Sequence, residues 1–295
     1  MQLTTAGLCL CLSGLLLYST SLSAAELGPT TSRLTLAAGL DSAEGSEAST
    51  DLDLGLDSGL HLRGLYGKSW QTSDGDSLQT TSWLVGISSD YTAPLVGGFD
   101  YEYWGDAALV ETRTSRFKLG TNTENWFLQL SYESRSSQFG SSVSTTNPGG
   151  KTVRLSQGDE VDSDGLGLAA SYYAWYPWAL SLAYMRYSYD QDVTELADND
   201  RFTQVFSIPT TGQATSLESW RASVDVSYDL MWGGLGVNVS RSESAIDQSV
   251  SDTASAYVIW DVDRRWSLDF TAGQYRTDNP SDTTTFGRAA ISHRW

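Results

Sequence analysis

Cysteine is confined to Cys9 and Cys11 in a chain of 295 residues. The remainder can form no disulfide, which excludes the small stapled class of exported domain. Histidine is nearly as scarce, with His61 and His293 alone, leaving little from which to build a general base. After the first 25 residues no stretch holds the ~20 consecutive apolar residues of a membrane-crossing helix. No Pro-rich segment or compositional step divides the chain. Positive charge is short as well: 18 Lys and Arg against 36 Asp and Glu give a net charge of −18. Without a basic face, nucleic acid is not expected as a partner.

The first segment has a pattern of its own. Leu8 to Tyr18 is an apolar run followed by Ser23-Ala24-Ala25, which reads as a secretory signal peptide cleaved before Glu26. No Lys or Arg precedes the run. Both cysteines lie inside it, and neither follows a lipoprotein cleavage pattern. Residues 1–25 are therefore expected to be a signal peptide and residues 26–295 one exported domain.

What fills that domain is a recurring run of about ten residues that alternates apolar and polar, with turn chemistry between runs. Fourteen such runs can be counted, from near 31–40 to near 284–295. In the last, Gly287, Ala289, Ile291, His293 and Trp295 share one strand face, and Arg288, Ser292 and Arg294 share the other. A turn at Asp57-Ser58-Gly59 would set Leu54 against Leu62 and Leu52 against Gly64 on one face, with Asp53 across from Arg63 on the other. A turn at 263–265 likewise puts Val258, Trp260 and Val262 beside Trp266, Leu268 and Phe270. Two solvents are implied, hydrocarbon on one side and water on the other. The fold expected is all-β: a single transmembrane antiparallel up-and-down barrel of about 14 strands, with 12–16 allowed by weak runs such as 109–119.

In this alternation and in the Arg288–Trp295 ending, residues 26–295 resemble Gram-negative outer-membrane β-barrel proteins, and the strand count looks like the monomeric fourteen-strand porins. The resemblance implies the bacterial outer membrane, with both termini periplasmic. It also implies contact with outer-membrane lipid and lipopolysaccharide, and recognition by the barrel-assembly machinery through the C-terminal strand. Ala290 and His293 depart from that assembly signal, which prefers Gly and an apolar residue there. In this orientation the periplasmic connections are 58, 90–94, 120–124, 176–177, 229–232 and 263–265, all short. Those outside are 41–48, 69–79, 105–108, 135–163, 190–216, 243–251 and 276–283, several of them long. Trp220 and Tyr228 bracket Ala222, Val224 and Val226, and with Trp126, Trp178, Trp260, Trp266 and Trp295 they are expected in the interfacial aromatic girdles.

The inward register is charged. Arg33, then Asp51 and Asp53, then His61 and Arg63 alternate in sign on the first three strands, followed by Asp100 and Glu102, Arg116 and Lys118, and Glu133. Arg221, Asp225, Asp269 and Arg288 continue the set. Cross-strand pairing would hold the wall, and a water-filled lumen would let the same charges sort solutes. Small inward residues, Gly165, Gly167, Ala169 and Ser171, Ala179, Ser181 and Ala183, then Gly234 and Gly236, leave one side thinly furnished, as open pore or as a berth for a loop. Glu160-Val-Asp162-Ser-Asp164-Gly165 has the opening spacing of a calcium loop, but Ser171 stands where its bidentate Glu belongs, so no metal is expected. Neither is a cofactor. The function expected is passive diffusion of small hydrophilic, preferentially cationic solutes. The alternative is a plugged barrel whose outer loops bind a partner or surface polysaccharide, and a third reading is a hydrolase built on His61 beside Asp53.

Overall fold

The computed structural model describes residues 31–43, 45–73, 76–106, 110–139, 144–146, 152–154, 160–190, 217–245, 248–278 and 281–295. Fourteen strands close one antiparallel barrel: β1 (Arg33–Asp41), β2 (Ser46–Gly55), β3 (Leu60–Ser73), β4 (Asp76–Ser89), β5 (Leu95–Asp106), β6 (Val110–Asn122), β7 (Trp126–Phe139), β10 (Glu160–Tyr172), β11 (Trp178–Tyr189), β12 (Glu218–Leu230), β13 (Gly233–Ser244), β14 (Val250–Asp261), β15 (Trp266–Asp278) and β16 (Ser281–Arg294). Between β7 and β10, β8 (Ser144–Thr146) and β9 (Thr152–Arg154) pair as a separate hairpin. The expected signal segment 1–25 and the acidic stretch 191–216 lie outside the described residues.

Closure occurs where β1 meets β16, from Arg33 opposite Arg294 to Asp41 opposite Phe286. Just beyond, Ser32 and Trp295 exchange backbone N–H···O bonds of 3.0 and 3.1 Å. A closed sheet leaves no unpaired edge, the condition for β structure in hydrocarbon. The end that carries Ser32 and Trp295 is here the lower rim.

Turn chemistry fixes the registers. Gly59 takes φ +75° at the left-handed position of the β2–β3 turn, a conformation that costs glycine little. Leu54 consequently faces Leu62, Leu52 faces Gly64 and Asp53 faces Arg63. In the β14–β15 turn the Asp263 carboxylate accepts the Arg265 and Trp266 amides at 2.6 and 2.8 Å. Those two donors hold its carboxyl below the usual range. Val258 then faces Phe270 and Trp260 faces Leu268. A slip of one residue at either turn would carry leucines into the lumen and charges into lipid, at about 2–4 kcal/mol for a mid-membrane Arg.

The outer face is apolar between two aromatic rows. On β7, Trp126 and Tyr132 enclose Leu128 and Leu130, all exposed. Near the lower rim Trp126 packs on Tyr172 at 4.5 Å, Trp178 on Tyr228 at 4.8 Å, and His293 lies 4.4 Å from Trp266 and 5.7 Å from Trp295. Near the upper rim Trp83 meets Tyr101 at 5.5 Å, and Tyr184 stacks on Trp220 at 6.4 Å. Trp260 is exposed beside the lower row.

The upper connections differ from the expected loops. β3 and β4 run on until 74–75 separates them, β15 and β16 until 279–280, and β5 and β6 until 107–109. The stretches 69–79 and 276–283 are therefore mostly strand, β5 takes in 105–106, and the long connections are those after β7 and β11. Strands of 12–14 residues exceed the ~9–11 that span hydrocarbon, so their upper ends stand above it. There the outward residues turn polar: Ser136 donates to Glu160 at 2.7 Å, Tyr132 to Asp164 at 2.6 Å, and Arg241 to Asp252 at 2.7 and 2.8 Å. The calcium-like segment lies in β10, with Glu160, Asp162 and Asp164 exposed on the outer face and Val161, Ser163 and Gly165 inside.

Candidate functional site

All fourteen polar residues expected inside lie on the inward parity of their strands, opposite in direction to the exposed apolar set. On the β2–β7 wall they form a ladder of ion pairs and hydrogen bonds. His61 Nδ1 lies 2.8 Å from Asp53, Arg63 3.2 Å from Asp51, Lys118 2.6 Å from Asp100, and Arg116 3.6 Å from Glu102. The directly opposed residues are others: Asp53 with Arg63 and Asp100 with Arg116. In each close pair the base reaches two residues toward the upper rim on the preceding strand. Strand twist and tilt bring that diagonal within reach of a long side chain. The expected alternation of sign is present, with its contacts displaced onto the diagonals. Ser88, opposite His61 in register, donates to Tyr91 at 3.2 Å.

The ladder ends on Glu133, which is 1% exposed. Its carboxylate accepts from Arg116 Nε at 2.6 Å, Arg221 at 3.1 Å, Arg135 at 3.2 Å and the Tyr187 hydroxyl at 2.9 Å. The Tyr187 ring lies 4.8 Å from the Arg135 guanidinium and 5.6 Å from that of Arg221. Glycine permits this arrangement. Gly165 on β10 is paired with both Glu133 and Tyr187, and a Cβ there would stand 2.6 Å from the Tyr187 ring. Arg221, on β12, passes over β11 and β10 to reach β7. Three strand spacings of about 4.8 Å separate the two backbones along the wall, so the Arg221–Glu133 bond cuts across a chord of the lumen.

The thinly furnished side is less open than its sequence implies. Met185 and Tyr187 cover Gly165 and Gly167, and Tyr257 covers Gly236. Ala169, Ser171, Ala179, Ser181 and Ala183 remain small, with Ser171 and Ser181 hydrogen-bonded at 2.8 Å. Among the described residues, the inward positions of β10, β11, β13, β14 and β15 carry no Lys, Arg or His. Asp225 lies on this wall and accepts from Tyr257 at 3.1 Å. At the closing seam Arg288 lies 3.5 Å from Glu47 and Arg294 3.2 Å from Asp261. Arg33 and Asp269 face the same seam, close enough to interact.

Arg135 and Tyr187 were not legible as site residues. The seventh strand reads as ending at 134, which puts Arg135 in a loop, whereas β7 continues to Phe139. The signal that could have found Tyr187 is its cross-strand alignment with Gly165 and Glu133.

No protein-family model matches this chain, and no curated protein sequence does. Solved structures do. The CymD monoaromatic hydrocarbon channel is 8% identical, with 91% of this chain and 88% of that one covered and a TM-score of 0.53. Outer-membrane expressed OmpT of Vibrio cholerae is 10% identical, with 91% and 99% covered and a TM-score of 0.50. The NanC porin is 10% identical, with 88% and 98% covered and a TM-score of 0.42. What the chain shares with the first two is a fold, that of an outer-membrane β-barrel, here closed by fourteen strands.

Proposed function

We propose that the chain is an outer-membrane pore for passive diffusion of small hydrophilic solutes, with a preference for cations. The observation that carries this reading is the inward face, polar and charged along its length, inside a barrel whose diameter at fourteen strands allows water to enter. An acidic chain and a wall almost free of bases support the cation preference. The reading includes removal of residues 1–25, periplasmic termini, lipopolysaccharide around the polar upper strand ends, and insertion by the barrel-assembly machinery through β16. It involves no chemical step. Liposomes containing the refolded protein should swell in small neutral sugars and not in large ones. Swelling indistinguishable from protein-free liposomes would refute it.

One observation favours a second reading. The Arg221–Glu133 bond cuts a chord on one side of the lumen, and together with a berthed loop it would plug the barrel, leaving the outer loops to bind a partner or polysaccharide. In that case swelling would begin only after residues 135–163 or 190–216 are deleted. The hydrolase reading rests on His61 beside Asp53, and loss of a wild-type lipid-hydrolysing activity in His61→Ala would favour it.

A further inference from the structure

Most inward carboxylates of this barrel have a base beside them; Asp225 does not. It stands at mid-height on β12, three residues from Tyr228 of the lower aromatic row and five from Trp220 of the upper. Its cross-strand neighbours are Ser181 on β11 and Asn238 on β13. Its hydrogen bonds come from neutral groups, the Tyr257 hydroxyl at 3.1 Å and the Asn238 side chain. Arg221, on the same strand, is turned away to Glu133 and Glu218, at 3.1 and 3.7 Å. Among the described residues no ion pair includes Asp225, which is 8% exposed.

A second observation points to the same place. Ser227, the next inward residue below Asp225, is 2% exposed, and its hydroxyl has no hydrogen-bond partner among the described residues. Its cross-strand neighbours, Ala179 and Gly236, offer no side-chain donor or acceptor. A carboxylate at this depth is costly unless a counter-charge sits with it, and a buried hydroxyl is costly unless something bonds it. The described residues supply neither.

We propose that Asp225, with Ser227, Ser181 and Asn238 around it, is a binding site for a small monovalent cation and sets the charge selectivity of the lumen. The ligands it offers are hard oxygens carrying one negative charge, which suits an alkali ion; a divalent ion needs more carboxylates than this wall supplies. The proposal rests on the pore reading. It adds that selectivity comes from this one unpaired carboxylate on the β10–β15 wall, whose one inward base among the described residues, Arg221, is engaged by Glu133 and Glu218, and that the paired acids of the β2–β7 ladder contribute little, their charge being answered by Arg63, Lys118 and Arg116.

The test is the reversal potential of single channels in a KCl gradient for the full-length protein, Asp225→Asn, Ser227→Ala and Asp252→Asn. Asp252 is an outward-facing acid of the upper rim, and its variant should match wild type. A lone carboxylate about 5 Å from a permeating ion in high dielectric favours a cation by about fourfold and disfavours an anion by about fourfold, so Asp225→Asn should lower the K⁺ to Cl⁻ permeability ratio by about 16-fold at similar conductance. Ser227→Ala should lower it less, and Asp225→Glu should restore it. Retained heat-modifiable gel migration certifies folding of each variant. A conducting Asp225→Asn channel with unchanged selectivity overturns this proposal and leaves the pore standing. A wild-type barrel that never conducts overturns both. If Asp225→Asn does not fold, unchanged selectivity in Ser227→Ala overturns the site, and a lowered ratio there supports it.

Discussion

Arg221 and Glu133 are 88 residues apart in sequence and on strands that are not neighbours, yet their side chains meet at 3.1 Å inside the barrel. The contact exists because the two intervening strands present little at that level: Gly165 on β10, and on β11 a Tyr187 whose ring lies flat enough for both guanidinium groups to rest against it. Three arginines and one phenol therefore converge on a single carboxylate, and a chord on one side of the lumen is braced.

Removing that carboxylate leaves the three guanidinium groups facing one another. Glu133→Gln should destabilise the barrel by about 3–5 kcal/mol, the range for breaking a buried ion pair from one side. The midpoint of denaturant-induced unfolding in detergent measures it. Arg221→Ala should cost less, because Arg116 and Arg135 still hold Glu133, and it should raise single-channel conductance by opening the chord. Equal midpoints for Glu133→Gln and wild type would show the hub to be energetically idle.

Parity can be tested with adjacent residues. Leu168 is outward and Ala169 inward on β10. Leu168→Arg should lose about 2–4 kcal/mol, the range for arginine facing mid-bilayer lipid. Ala169→Arg should fold and insert with little loss while narrowing the lumen. The readout is folding free energy in lipid vesicles, and the reverse order of effects would place the lumen on the wrong face.

Gly165 gives a third prediction. A Cβ there meets the Tyr187 ring at 2.6 Å, so Gly165→Val must push Tyr187 off Glu133. Overpacking of this kind typically costs about 1–3 kcal/mol. Gly64, where an added Cβ meets nothing within 4 Å, is the control, and Gly64→Ala should be nearly silent. Thermal unfolding followed by circular dichroism separates the two.

Much of the wall could be read in the amino acids because a strand between two solvents must alternate. Leu52 and Leu54 against Gly64 and Leu62, and Val258 and Trp260 against Phe270 and Leu268, follow from turn position and parity alone. The inward charges follow from the same parity. What alternation cannot reveal is where a strand stops once it leaves the membrane, since both faces then meet water. Hence Gln71, Gln79 and Arg135 read as loop and are strand. It also cannot choose between direct and diagonal partners, a choice made by twist: Arg63 takes Asp51 although Asp53 is opposite. Nor can small residues announce what covers them, as Tyr187 covers Gly165 and Tyr257 covers Gly236.

Whether water and ions pass through this lumen is decided most directly by single-channel recording of the refolded full-length protein in a planar bilayer under a KCl gradient. Expected are discrete openings with a reversal potential displaced toward the K⁺ equilibrium value. Absence of steps at any voltage, or displacement toward the Cl⁻ value, would contradict a cation-preferring pore.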